Sequence, residues 1–168
     1  NFFKVCCCFL FMKRNIGDSK DIKPNDILNL ENIKKVCEWR PELWAPVLQD
    51  VIRHYNPSKL LGKRVLEIGF GTGRYATFLA MLGADVTGIE HDPGTKEQAI
   101  RQAKELGVSD RCRFITGDFF QLKEKFDLIM TKSVLYSIND VDTYDKWISG
   151  FAQLLEPHGE VLIVENGS

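Results

Sequence analysis

An apolar strand that empties directly into a glycine-rich turn, Val65-Leu66-Glu67-Ile68-Gly69-Phe70-Gly71-Thr72-Gly73, constrains this chain more than any other stretch. Such a run joins a buried strand to the start of a helix. Glycine has no side chain to hold a ligand off the backbone, and it takes positive φ in tight turns that other residues resist. The helix that follows points its free N–H groups and the positive end of its dipole at whatever the turn holds. The turn therefore reads as a nucleotide-cofactor loop. Alone it is ambiguous, because Gly71-Thr72-Gly73-Arg74-Tyr75-Ala76 also fits the dinucleotide pattern GxGxxG/A of nicotinamide and flavin enzymes.

From that turn onward, strand and helix signals alternate. A helix through Thr77–Leu82 is stopped by Gly83 and precedes a second strand, Asp85–Ile89. Asp92-Pro93 supplies a cap and a first-turn proline for a helix running to Leu106-Gly107. A third strand covers Arg113–Thr116 and a fourth Phe126–Met130. The next helix carries Tyr144, Trp147, Ile148, Phe151 and Leu155 along one face, and Pro157-His158-Gly159 turns into a fifth strand, Val161–Val164. Repeated βα units predict an α/β, Rossmann-like doubly wound sheet of parallel strands with helices on both faces, and a ligand at the carboxyl ends of the strands. Two helical stripes precede it: a modest one at Ile27, Leu30, Ile33, Lys34 and Cys37, and a better one at Trp44, Leu48, Val51, Ile52 and Tyr55.

The 168 residues suit one domain with a real core, and a net charge of −1 speaks against nucleic acid as a partner. The five cysteines are an odd count, three of them in the run Cys6-Cys7-Cys8, with no CxxC pair and no metal-ligand spacing, which points to a reducing compartment, the cytoplasm. Residues 1–25 read as a leader that is disordered or foreign to the domain, with residues 26–168 as the domain: amino-terminal helices over 26–56 and the sheet core over 63–165. Asn1–Met12 is rich in Phe, Leu and Cys but too short to span a bilayer. A membrane-surface or palmitoylated tail and the remnant of a longer targeting segment are the other readings of it.

Each strand ends in something usable at the carboxyl edge. Glu67 and the glycines follow the first, Glu90 the second, Asp118 the third, and Lys132-Ser133 the fourth. Glu90 stands about twenty residues beyond the glycine turn, where a carboxylate can accept both hydroxyls of a ribose. The run from Arg64 to Glu165 resembles the class I S-adenosylmethionine-dependent methyltransferases, small-molecule type. That family's first motif is an acid before GxGxG, here Glu67-Ile68-Gly69-Phe70-Gly71-Thr72-Gly73. Its later motifs are matched by Val86-Thr87-Gly88-Ile89-Glu90-His91, Phe114-Ile115-Thr116-Gly117-Asp118-Phe119, Phe126-Asp127-Leu128-Ile129 with Ser133-Val134-Leu135-Tyr136, and Leu154-Leu155-Glu156-Pro157-His158-Gly159-Glu160.

The resemblance implies S-adenosyl-L-methionine as cofactor, with Glu67, Gly69, Phe70, Gly71 and Gly73 around its methionine part and ribose. It gives the ribose hydroxyls to Glu90, the adenine face to His91, the adenine amino group and ring edge to Asp118 and the backbone of Phe119, and the amino group to a carbonyl of Lys132 or Ser133. Asp118 as a plain turn residue and Ser133 as a helix cap are the structural readings of the same positions. The implied sheet has seven strands in order 3-2-1-4-5-7-6 with the last antiparallel. This sequence stops just past the fifth, so five parallel strands in order 3-2-1-4-5 are expected, with Val161–Val164 as an exposed apolar edge and an isolated chain of poor stability and weak activity.

A sulfonium methyl is already activated, so alignment and exclusion of water are the protein's main tasks. A base is needed only for a protonated acceptor. Tyr136, His91 and His54 are the candidates, and no catalytic base is assigned. The acceptor reads as a small molecule, because the fourth strand is not followed by the Asn/Asp-Pro-Pro-aromatic signature of enzymes that methylate nucleic-acid amino groups. Trp39, Arg40 and Trp44 suit either a lid over the cofactor or plain packing of a helix on the sheet. Two rivals remain: an NAD(P)-dependent oxidoreductase, which leaves Glu67 and Gly117-Asp118 unexplained, and a non-catalytic S-adenosylmethionine-binding protein. The oligomeric state is not encoded in any of these patterns.

Overall fold

The computed structural model describes residues 9–12, 48, 51, 54, 55 and 57–165. Six strands form one sheet: β1 (Phe9–Met12), β2 (Arg64–Ile68), β3 (Asp85–Glu90), β4 (Cys112–Thr116), β5 (Phe126–Lys132) and β6 (Leu155–Val164), in the order β1-β6-β5-β2-β3-β4. From β2 to β6 every pairing is parallel. Counted from β2, that is the expected 3-2-1-4-5. The helices are α1 (Pro57–Leu60), α2 (Arg74–Met81), α3 (Lys96–Glu105) and α4 (Val141–Leu154).

The central strands read as continuous apolar runs because both faces of the sheet are covered. On one face Val65, Met130 and Leu162 pack with Phe78 and Leu79 of α2, Ala99 and Ala103 of α3, and Leu48, Val51 and Tyr55. On the other face Leu66, Ile68, Ile129 and Ile163 pack with Phe151 and Leu154 of α4. Phe78, Phe126 and Phe151 are among the largest fully buried side chains, each contributing about 1.5–3 kcal/mol by leaving water. Leu48, Val51 and His54 lie in helical backbone, in keeping with the second amino-terminal stripe. Trp39, Arg40, Trp44 and the first stripe fall outside the described residues.

The sheet edge differs from expectation. Phe9–Met12 pairs antiparallel with β6, Phe9 opposite Val164 and Met12 opposite Val161. Val161–Val164 is therefore a covered strand, each of its residues buried, and not an open edge. Unpaired N–H and C=O groups on an apolar strand form a template for another strand, and Phe-Leu-Phe-Met has high strand propensity. This strand takes the place beside β6, and the antiparallel sense, that the resemblance gives to the family's last strand. The remainder of 1–25 lies outside the described residues. A smaller difference concerns Leu155, which opens β6 and does not extend α4; a register shift between Phe126 and Leu128 lets Glu156–Gly159 loop out before pairing resumes at Glu160.

Candidate functional site

The ends of β2 to β5 meet at the carboxyl edge, and the residues singled out in the sequence divide there into those facing open space and those built into the core. Gly71 has φ 50° and Gly73 φ 79°, a region that side chains disfavour. A Cβ on Gly71 would meet nothing within 4 Å among the described residues, so its peptide face lies bare of them. A Cβ on Gly73 would stand 2.7 Å from the Ala99 Cβ and 3.2 Å from the Phe114 ring, so this glycine allows α2, α3 and β4 to close on one another. One on Gly69 would stand 2.6 Å from Cγ2 of Val134, which brings the loop after β5 against the turn.

Glu67 is 1 % exposed. Helix α2 begins at Gly73, which has no side chain to cap it, and the Glu67 carboxylate beneath accepts the N–H of Ala76 in the first turn. Burial pushes this carboxyl well above the usual carboxylate range; the Ala76 bond works against the rise and the nearby Glu90 charge adds to it. Its Oε2 is buried and has no hydrogen-bond partner among the described residues. A dinucleotide would place its pyrophosphate on this helix N-terminus. The Glu67 carboxyl already occupies the Ala76 N–H of that first turn, a donor a pyrophosphate would need, so the geometry disfavours the oxidoreductase reading.

Phe70 is core: it is 3 % exposed and its ring lies 4.9 Å from that of Phe114, over Gly88. Its backbone alone can address a ligand. Phe119 is likewise buried, with ring centroids 4.1 Å from Phe120, 4.8 Å from Trp147 and 5.7 Å from Phe151. Asp118 is exposed, and its Oδ1 accepts the N–H of Phe120 at 3.0 Å, capping the short 3-10 turn Phe119–Gln121.

Glu90 closes β3 with its side chain 13 % exposed. Its Oε2 accepts the Gly71 N–H at 3.3 Å, and its Oε1 accepts the His91 N–H at 2.9 Å and the Asp92 N–H at 3.4 Å. The His91 ring is 92 % exposed, with Nδ1 3.0 Å from Glu90 Oε1. Gly117 N–H donates to the Glu90 carbonyl at 2.9 Å, fastening the ends of β3 and β4 together. At the end of β5, the Lys132 ammonium donates to Ser133 Oγ, and burial lowers the Lys132 pKa while Glu165 raises it. Tyr136, in the following 3-10 turn, is 71 % exposed at this edge.

Glu165 is a carboxylate at this edge that the sequence pattern did not single out. It follows β6 as Glu90 ends β3, and the same strand-end rule would have found it. Among the described residues the edge offers carboxylates, backbone carbonyls and uncovered backbone at Gly71 and Gly117, a donor and acceptor set that fits a ribose diol and a cationic amino-acid group. Among the described residues no group of three or more His, Cys, Asp or Glu side chains is arranged to hold a metal, and no helix is long and apolar enough to cross a membrane. A cleft of about 260 Å³ lined by Arg64, Thr87, Arg111, Arg113 and Glu124 lies at the opposite, amino-terminal ends of the strands and takes no part in this cluster.

A family model described as a methyltransferase domain matches residues 65–159, more than half of the chain. A ubiquinone biosynthesis O-methyltransferase of Chelativorans sp. is 34% identical over 132 residues, covering 75% of this chain and 51% of that one. An S-adenosyl-L-methionine-dependent Diels-Alderase of Talaromyces variabilis is 29% identical over 140 residues, covering 76% of this chain and 47% of that one. The crystal structure of a magnesium protoporphyrin IX methyltransferase from Synechocystis shares the fold with a TM-score of 0.57 at 23% identity, over 83% of this chain and 59% of that one. The chain spans about half or less of the length of the curated relatives it matches.

Proposed function

The chain belongs to the methyltransferase domain family, and from that premise we propose that it binds S-adenosyl-L-methionine across the carboxyl edge of its sheet and transfers the methyl group to a small-molecule acceptor in the cytoplasm. The observation that carries this reading is the Glu90 carboxylate held at the mouth of the glycine turn on the N–H of Gly71, beside a peptide face that no described residue covers. Its bonds to Gly71 and Asp92 are long, 3.3 and 3.4 Å, so exchanging them for the two hydroxyls of a ribose sacrifices little.

The cofactor supplies a methyl group on a sulfonium, already activated toward a nucleophile. The chain's own residues supply placement. Glu90 takes the ribose, Asp118 and the backbone of Phe119 take the adenine, and the carbonyls at Lys132 and Ser133 take the amino group. The walls of the edge keep water away from the reacting pair. When the acceptor arrives as a phenol or alcohol, its proton must leave, and Tyr136 and His91 are the exposed groups at this edge able to receive it.

A small acceptor is supported by Thr131-Lys132-Ser133-Val134-Leu135-Tyr136 in place of an Asn/Asp-Pro-Pro-aromatic signature, by the net charge of −1, and by the likeness to a ubiquinone biosynthesis enzyme. The test is calorimetric titration of the chain with S-adenosylhomocysteine and with NAD, followed by transfer of labelled methyl from S-adenosylmethionine into fractionated metabolite extract. Binding of the first ligand alone, weakened by Glu90→Ala, and label in a small-molecule fraction are expected. NAD binding in its place would overturn the reading. A second reading keeps the cofactor without the transfer, and the Diels-Alderase likeness favours it; tight binding with no label in any fraction would select it.

A further inference from the structure

Glu165 Oε1 accepts the backbone N–H of Val134 at 3.2 Å and that of Leu135 at 2.9 Å. The residue before them, Ser133, has φ 53°, the one positive φ outside glycine among the described residues. Its own N–H donates to the carbonyl of Val164 at 2.8 Å, so three consecutive amides of this loop are tied to the end of β6. A residue with a Cβ stays in the left-handed region only when its surroundings over-determine it, and such strain gathers at ligand sites. Glu165 Oε2 is buried without a hydrogen-bond partner among the described residues, a cost that a group serving packing alone has no reason to bear.

The strand order says which end of a ligand this loop faces. Glu90 and Asp118 lie past β3 and β4, on one side of the glycine turn of β2, whereas Ser133 and Glu165 lie past β5 and β6, on the other. A nucleoside held at Glu90 must therefore extend its substituent over Gly69 toward Val134, whose Cγ2 already rests against that turn. We propose that Glu165 is a positioning residue: by holding the amides of Val134 and Leu135 it fixes the loop as the wall of the site for the amino-acid end of the cofactor, and so sets affinity for that end while leaving the nucleoside end alone. The inference rests on the cofactor reading above.

The test uses the full chain and two ligands, S-adenosylhomocysteine and adenosine, with amide exchange read separately. In Glu165→Ala the amides of Val134 and Leu135 should exchange about tenfold faster or more, S-adenosylhomocysteine should bind about tenfold more weakly, and adenosine should bind as before. Glu165→Gln retains a carbonyl acceptor of the same reach and should return both quantities to within about threefold of the parent. Equal weakening of both ligands would mark general damage and overturn the proposal, as would unchanged exchange at the two amides. Should the parent chain bind neither ligand, the cofactor reading fails by itself. The exchange comparison would then still decide the clamp: no acceleration sinks it, and acceleration rescued by Gln upholds it.

Discussion

The Gly71 amide donates to Oε2 of Glu90 across 3.3 Å, joining the glycine turn of β2 to the end of β3 at the open carboxyl edge. The carboxylate rests on the backbone N–H groups of Gly71, His91 and Asp92, with the His91 ring beside it, and is largely shielded from water, which suits the proposed binding of a diol. Glu90→Ala should leave the chain folded by circular dichroism, since the bonds it forfeits lie at the surface. It should weaken S-adenosylhomocysteine about 10- to 100-fold, the worth of one hydrogen bond to a charged group. An unchanged titration would remove Glu90 from the site.

Gly71 and Gly73, two of the three positive-φ glycines of the turn, should answer differently to the same substitution. Gly73→Ala adds strain at φ 79° and also drives a methyl into Ala99 and Phe114, for a loss of about 2–5 kcal/mol and a visibly lower melting temperature. Gly71→Ala adds strain of about 1–2 kcal/mol at φ 50° and strikes none of the described residues, so the fold should survive it. Its methyl then occupies the space above the peptide, and S-adenosylhomocysteine binding should be lost from a chain that still melts cooperatively. The reverse pattern, with Gly71→Ala unfolding and Gly73→Ala binding, would refute this division of roles.

That division is also where the sequence stops being legible. Strand ends, the acid before the turn and the acid after the second strand all show locally, because they are set by neighbours in the chain. What Gly73 is for depends on Ala99 and Phe114, twenty-six and forty-one residues further on, and nothing in a GxGxG pattern says which glycine faces a ligand and which faces a helix. Phe70 and Phe119 sit inside motifs yet turn their rings into the core, and the motif alone does not show side-chain direction. The strand at Phe9–Met12 was hidden for a related reason: an apolar four-residue run has no partner until β6 exists beside it. Glu165 was legible by the rule that found Glu90, but its role emerges only when the loop after β5 folds back onto it.

Cys112 offers a chemical probe of the far side of the sheet. Burial pushes its thiol up to about 12, and the nearby Glu67 charge adds to the rise. The thiolate is the reactive form, so at pH 8 this cysteine should be alkylated by iodoacetamide far more slowly than an ordinary exposed thiol. Peptide-resolved mass spectrometry isolates it from the other four cysteines. Labelling of Cys112 should rise at least about tenfold once the chain is unfolded in guanidinium, and rapid labelling of the native chain would contradict the burial.

Glu67 predicts a direction for stability against pH. Its carboxyl is raised above the ordinary value of 4.5 by burial first, with the charge of Glu90 adding and the Ala76 N–H opposing. Below about pH 4.5 the group holds its proton in the folded and the unfolded chain alike, and it carries no penalty. As pH climbs past that point the unfolded chain ionises while the folded chain keeps its proton, so the contribution of Glu67 to stability falls, and it goes on falling until the pH reaches the raised native value. Glu67→Gln keeps a carbonyl for the Ala76 amide and has no proton to lose. Its stability relative to the parent should therefore grow as denaturant melts are taken upward from pH 4.5, and level off once the pH passes the raised native value. The other carboxylates titrate in both chains and cancel in the difference. A difference that stays flat across that range would mean that Glu67 is ionised in the folded chain, with its second oxygen partnered after all.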